Sequence, residues 1–193
     1  MRPSGVRWVC GTVKRRNATA KRAALYHCGL TALGPDGDMA RADAGRRIAA
    51  FGNAENESYG IEYGYAYPES PVICAEPEAD IPSDPLRYMP TTFPGVRMPS
   101  VVLEDYTPIY DRLGLWFTLV CVGMRPSAAL VEAAARRSVP LDVLRLDEPD
   151  LIAVYGRRLM LVRPDQHIAW RGAACDDRLE ADVIISRVLG FVN

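Results

Sequence analysis

No stretch of this sequence approaches the roughly 20 uninterrupted apolar residues that a membrane helix requires, and no apolar block of the signal-peptide kind stands near its amino terminus. Both absences point to a cytoplasmic protein. Cysteine is sparse: Cys10, Cys28, Cys74, Cys121 and Cys175 are scattered, odd in number and without a C-x-x-C pair, which argues against a disulfide scaffold and suits a reducing compartment. Histidine is sparser still. Zinc needs about four ligands at recognisable spacing, so the adjacent His27 and Cys28, with His167 far away, point to no metal site. There is also no G-x-G-x-x-G, the pattern whose glycines let a backbone approach a pyrophosphate. Neither charge sign dominates, with 23 basic against 24 acidic residues in 193. Nothing global therefore points to nucleic acid, and the 49% apolar content is that of an ordinary globular protein with one medium domain, or a small one with an extension.

Organisation along the chain is uneven. Arg2, Arg7, Lys14, Arg15, Arg16, Lys21 and Arg22 are unmatched by any acidic residue before Pro35. Such an arm suits phosphate neutralisation, which leaves a nucleic-acid adaptor as a rival reading, yet Trp8 and Tyr26 make no stacking platform, so residues 1–37 read as a poorly ordered leader or as a start that cuts into a longer parent chain. From Asp38 to Glu57 the placement of Met39, Ala42, Ile48, Ala49 and Phe51 predicts an amphipathic helix, with Asp38 as N-cap after Gly34-Pro-Asp-Gly37. The alternation of Tyr59, Ile61, Tyr63, Tyr65 and Tyr67 then predicts a half-buried strand. Between Pro68 and Pro108 the prolines are too dense for helix, and an extended connector is expected.

The last 85 residues are the regular part. Leu115 to Val122 is a continuous apolar run, as a central strand covered on both faces requires. Ala128 to Arg137 reads as a helix capped by Ser127, and Leu141 to Leu146 as a second strand, parallel to the first across the helix. Arg158–Val162 and His167–Arg171 are strands joined by the turn Arg163-Pro-Asp-Gln166. Leu179, Val183, Ile184 and Val188 predict a closing amphipathic helix on the sheet. The fold class is thus mixed α/β, a thioredoxin-like βαβ-ββα domain over 108–193, preceded by a helix, a strand and the proline-rich connector over 38–107. In redox-active members of that fold the first strand meets its helix at a reactive thiol. Here Cys121 lies inside the strand with no resolving partner, so a thiol-redox protein is a rival reading only.

Three blocks resemble a known family. They are Gly64-Tyr-Ala-Tyr-Pro-Glu-Ser-Pro71; Tyr88-Met-Pro-Thr-Thr-Phe-Pro-Gly-Val-Arg-Met-Pro99 with Ile109-Tyr-Asp-Arg-Leu-Gly-Leu-Trp-Phe-Thr-Leu119; and Leu161-Val-Arg-Pro-Asp-Gln-His-Ile-Ala-Trp-Arg-Gly172. Together they are similar to the C-terminal end of the class A flavoprotein hydroxylases of the phenol hydroxylase and dichlorophenol monooxygenase type. The resemblance implies a thioredoxin-like domain without redox cysteines, joined to flavin and substrate domains. In the complete family enzyme, NAD(P)H reduces FAD, and oxygen then hydroxylates a phenolic ring. Where the family usually carries histidine after the Arg-x-Pro, this chain has Ser100.

The residues that carry the resemblance are Arg97, Pro99, Asp111, Arg163, Pro164, Asp165, His167, Trp170 and Arg171. They are expected to be structural signatures, because Asp and Arg beside a proline turn satisfy its backbone, and one histidine without a thiol or paired carboxylate is no mechanism. The chain itself is expected to bind neither FAD nor a metal. Its expected partner is a catalytic FAD domain, or a second copy, met through Tyr59, Tyr63, Tyr65, Tyr67 and the connector. The Gly37-Asp38 dipeptide echoes a flavin-contacting motif of the family, but helix capping explains it more simply.

Overall fold

The computed structural model describes residues 29–51, 58–77, 80–148 and 150–191. The basic segment, His27 and Cys28 lie outside them. The chain divides into two units, residues 1–58 and 59–193, each described by itself.

In the first unit, helix α1 spans Pro35–Phe51. It begins three residues earlier than the spacing predicts. Gly34 takes φ 80° and Pro35 opens the helix, a position that suits proline because its missing N–H would be unpaired there anyway. Asp38 is consequently no N-cap. It sits in the first turn, where Arg41 Nη2 reaches its carboxylate at 2.5 Å, and Nη1 of the same arginine donates to the carbonyls of Leu30 and Ala32. Met39 and Ile48, expected to face a core, are exposed. Residues 52–57 of the expected helix lie outside the described residues.

The second unit opens with a correction. Tyr59–Tyr63 is a short helix, α2, and the strand expected over Tyr59–Tyr67 is reduced to a single bridge between Ala66 and Val96. Alternate tyrosines at positions 59 and 63 are also four residues apart, which is helical spacing, and their rings stack at 6.2 Å in α2. The helix sits directly on the 84–87 loop. A Cβ on Gly60 would lie 1.6 Å from the Asp84 carbonyl. From Gly64 to Pro108 the described chain is turns, bends and extended segments, as the prolines require, and a 3-10 turn follows at Ile109–Arg112.

The sheet has four strands: β1 Phe117–Val122, β2 Leu141–Leu146, β3 Leu159–Val162 and β4 Ile168–Gly172. Its order is β2-β1-β3-β4, with β1 parallel to β2 and antiparallel to β3, and β3 antiparallel to β4. Helix α3, Ala128–Arg136, joins β1 to β2; a one-turn helix α4, Leu151–Tyr155, joins β2 to β3; and α5, Arg178–Val188, closes the chain. This is the expected strand, helix, strand, crossing, strand, strand, helix. Strand β1 starts two residues late, because Leu115 and Trp116 are 90% and 58% exposed and leave the sheet to solvent. Ser127 caps α3 as expected, its Oγ accepting from the Leu130 N–H at 3.1 Å.

Both faces of the sheet are covered. Leu119 and Cys121 of β1 and Leu159 and Leu161 of β3 pack with α3 and α5 through Leu130, Ala133, Ala134, Ala181, Ile184 and Ile185. The alternate residues, Val120, Val122, Met160 and Val162, pack with Val96, Met98, Leu103 and Ile109 of the connector and with Leu151 and Tyr155 of α4. Period-two strands sort their side chains in this way. The buried face of α5 keeps half of the expected stripe: Ile184 and Val188 are buried, together with Ala181 and Ile185, while Leu179 and Val183 are 77% and 62% exposed. Ala133 and Ala134 of α3 share one core with Ala181, Ile184, Ile185 and Val188 of α5. No helix of the described residues is long and apolar enough to cross a membrane.

Candidate functional site

The signature residues converge on the β3–β4 hairpin and on the connector strand beside it. The turn holds itself. Gln166 takes φ 67° and its N–H donates to the Arg163 carbonyl at 2.9 Å. Arg163 grips the Asp165 carboxylate through Nε and Nη2 at 3.2 and 2.9 Å, and the His167 N–H donates to the same group at 3.2 Å. Burial works to raise the Asp165 carboxyl, but these donors outweigh it and hold it below the usual carboxylate range. Pro164 occupies the exposed tip of the turn.

His167 is buried between two tyrosines, Tyr65 and Tyr67, at ring separations of 5.2 and 5.3 Å. Its Nδ1 lies 3.0 Å from the Asp165 carbonyl, which fixes the proton on Nδ1 if the ring is neutral, while buried Nε2 meets no hydrogen-bonding group of the described residues. No hydroxyl or thiol of the described residues bonds to this ring, so the arrangement has no nucleophile for His167 to activate.

The connector strand docks on the same hairpin. Met98 N–H donates to the Gln166 carbonyl, Gly95 N–H to that of Ile168, and Ile168 N–H to that of Val96, so Arg97 and His167 face each other as a bridge. Gly95 takes φ 94°, and a Cβ there would stand 2.7 Å from the Pro68 nitrogen. Glycine is required at that crossing. Pro99 accepts at its carbonyl from the Tyr155 hydroxyl at 3.3 Å, and Asp111 lies exposed on the 3-10 turn. Trp170 packs in the helix-side core. Beside it Arg171 crosses to the connector, where Nε and Nη2 meet the Glu76 carboxylate at 2.6 and 2.8 Å, Nη1 reaches Thr92 Oγ1 at 2.9 Å, and the guanidinium lies 3.9 Å over the Phe93 ring.

Cys121 is buried in β1, and burial pushes its thiol up to about 11, the opposite of what a redox cysteine needs. At the turn after β1, the Gly123 carbonyl accepts from Arg158 Nη1 at 3.2 Å. Pro126 has no N–H to offer, Ser127 closes the start of α3, and the Asp177 carboxylate closes that of α5 through the N–H groups of Leu179 and Glu180. Neither helix start presents the open N–H groups that a dinucleotide pyrophosphate needs. These two helix starts are therefore not seats for a dinucleotide pyrophosphate.

Against known proteins, the model of the aromatic-ring hydroxylase C-terminal family matches residues 91–191. The chain belongs to that family. It is 36% identical over 148 residues to the FAD-dependent monooxygenase apdD of Emericella nidulans, covering 72% of this chain and 24% of that protein. It is 31% identical over 152 residues to a phenol 2-monooxygenase of Pseudomonas sp., covering 66% of this chain and 25% of that one. The rebeccamycin biosynthetic enzyme RebC, solved with reduced flavin, superposes over 93% of this chain and 34% of its own with a TM-score of 0.77 at 30% identity. The flavin-dependent monooxygenase PieE superposes over 89% of the chain with a TM-score of 0.60 at 25% identity. The chain spans about a quarter of the length of the curated relatives it matches.

Family resemblance in the sequence thus drew attention to one hairpin and one connector strand, and the structure brings these together. Gln166, Glu76, Thr92 and Tyr110 were missed. Nothing in local spacing marks Glu76, which lies 95 residues from Arg171.

Proposed function

We propose that this chain serves as the C-terminal module of an FAD-dependent aromatic-ring hydroxylase and docks on the flavin-binding part of that enzyme through its tyrosine-bearing face. One observation carries the reading. Tyr59, Tyr63, Tyr65 and Tyr67 stay exposed beside the hairpin, in a chain that matches only about a third of RebC while nearly all of it superposes. Large exposed aromatics grouped on one face are the mark of an interaction surface. In the complete enzyme NAD(P)H would reduce FAD, and oxygen would hydroxylate a phenolic ring, chemistry the flavin supplies. This module would contribute the sheet, the clamped connector and the docking face, and no redox group of its own.

Replacing the C-terminal quarter of the Pseudomonas phenol 2-monooxygenase by this chain tests the reading. The chimera should purify with flavin and oxidise reduced nicotinamide in the presence of phenol. Changing Tyr63 and Tyr67 together to Ser should open the junction to limited proteolysis, and circular dichroism of the isolated 193-residue chain with the same changes checks that it still folds. Equal protease resistance of the parent and doubly substituted chimeras would refute docking through this face. Sedimentation equilibrium of the isolated chain separates the alternative, a second copy bound at the same face.

A further inference from the structure

Next to the hairpin lies an open cavity of about 530 Å³ lined by Tyr59, Tyr63, Tyr88, Arg97, Ser100 and Tyr110. Its size falls within the range of small-molecule sites, roughly 300–1,000 Å³. Its chemistry is one cation among rings. Arg97 is held on two sides: Nε and Nη2 donate to Gln166 Oε1 at 3.1 and 2.6 Å, and the guanidinium lies 5.0 Å over the Tyr110 ring. Tyr110 in turn donates its hydroxyl to the Met98 carbonyl.

Both fixing groups are neutral. No carboxylate of the described residues forms an ion pair with Arg97, unlike Arg163 and Arg171, which each have one. A guanidinium fixed by an amide and a ring keeps its charge uncompensated and leaves Nη1 for a further acceptor. Around it Tyr59 and Tyr63 stack at 6.2 Å, and Tyr88 meets Tyr63 edge-on at 6.2 Å. Burial raises the Tyr88 and Tyr110 phenols against the pull of Arg97, so both remain neutral donors at pH 7.

We propose that this cavity is a binding site for a planar aromatic carboxylate, whose charged group pairs with Arg97 beside Ser100 while its ring lies among Tyr59, Tyr63 and Tyr88. A carboxylate matches the planar donor edge of arginine, and the rings favour an aromatic over an aliphatic body. A phosphate would find one guanidinium and, in the five-residue α2, a helix too short to supply an anion site. The site shares Tyr59 and Tyr63 with the proposed docking face, and it is argued for the isolated chain, which holds every residue of it.

The probe is 2-naphthoate, titrated into the full 193-residue chain by calorimetry at pH 7 and mapped by amide chemical shifts. Saturable binding that shifts the Gln166 side-chain amide and the Ser100 amide is expected. Uncharged 2-naphthol and the non-aromatic cyclohexanecarboxylate should each bind about tenfold or more weakly, separating charge from ring. Arg97→Gln should weaken naphthoate at least about tenfold. Because that change also removes the Gln166 contact, Ser100→Asp provides a second variant: the position is exposed, the fold should be unaffected, and the added charge should weaken naphthoate about tenfold and naphthol far less. The proposal is overturned if naphthoate does not bind at millimolar concentration, if naphthol binds as well, if the shifts map to another face, or if a folded Ser100→Asp chain binds naphthoate undiminished. The Arg97 and Ser100 variants leave the tyrosines of the docking face in place, so their failure is distinguishable from failure of the protease test.

Discussion

Replacing Glu76 by alanine tests whether the connector is a structural layer or a loose tether. The Arg171 side chain is 8% exposed and the Glu76 side chain 30%. Removing one partner of a fully buried ion pair costs about 3–5 kcal/mol, because the remaining charge is stranded. Water reaches Glu76, and Thr92 Oγ1 and the Phe93 ring stay with the arginine, so the cost here should fall to about 2–3 kcal/mol, the discount reflecting that exposure. For a chain of this size that lowers the melting temperature by about 4–12 °C. Glu76→Gln keeps one acceptor and should lose about half as much. The pH dependence carries a sign. The hydrogen bond from Arg171 is the main cause that holds the Glu76 carboxyl below its usual range, so the stability it contributes is complete above the unfolded glutamate pKa, about 4.3, and is lost as pH falls through the lower folded value. Urea unfolding of the parent and Glu76→Ala chains at pH 7 and pH 3 measures both effects. The gap between them should narrow in acid. A difference under about 0.5 kcal/mol at pH 7, within the range of ordinary surface substitutions, would refute the clamp.

Two further outcomes follow from buried groups on the helix side of the sheet. Ser127 Oγ accepts from the Leu130 N–H and donates to the Cys175 carbonyl at 2.5 Å, so Ser127→Ala should cost about 1–2 kcal/mol, read as a lower urea midpoint with an unchanged slope; an unshifted midpoint would show that the cap is dispensable. Burial lifts the thiols of Cys121 and Cys175 to about 11, leaving roughly one molecule in ten thousand as thiolate at pH 7. Iodoacetamide followed by peptide mass spectrometry should leave both unlabelled in the native chain and label them rapidly in urea; fast native labelling of Cys121 would revive the thiol-redox reading.

Legibility varied with the range of the interactions concerned. Strands β1 to β4 and helix α3 were readable because apolar runs, alternation and the Ser127 cap are local signals. The α2 segment was misread because five residues with tyrosines at both ends satisfy a period of two and a spacing of four equally well. For α5 the pattern offered adjacent stripes, and packing on the alanines of α3 chose the one containing Ala181 and Ile185. The candidate site was partly visible. Arg97 and the hairpin stood out by resemblance, whereas Gln166 and Tyr110 lay inside the resembling blocks with nothing local to show that the one holds Arg97 and the other lies beneath it.

Apolar runs, alternation and helix caps determined that this chain makes a mixed sheet with one main crossing helix and one closing helix, since each of those signals lies within a few residues. Which surface covers the second face of that sheet was decided only in three dimensions. The covering layer is an extended, proline-rich segment whose Val96, Met98, Leu103 and Ile109 show no regular spacing, and it is fastened by Glu76 to an arginine on a distant strand. An extended chain makes its contacts wherever a partner happens to lie, so its pattern is written in the partner and not in itself.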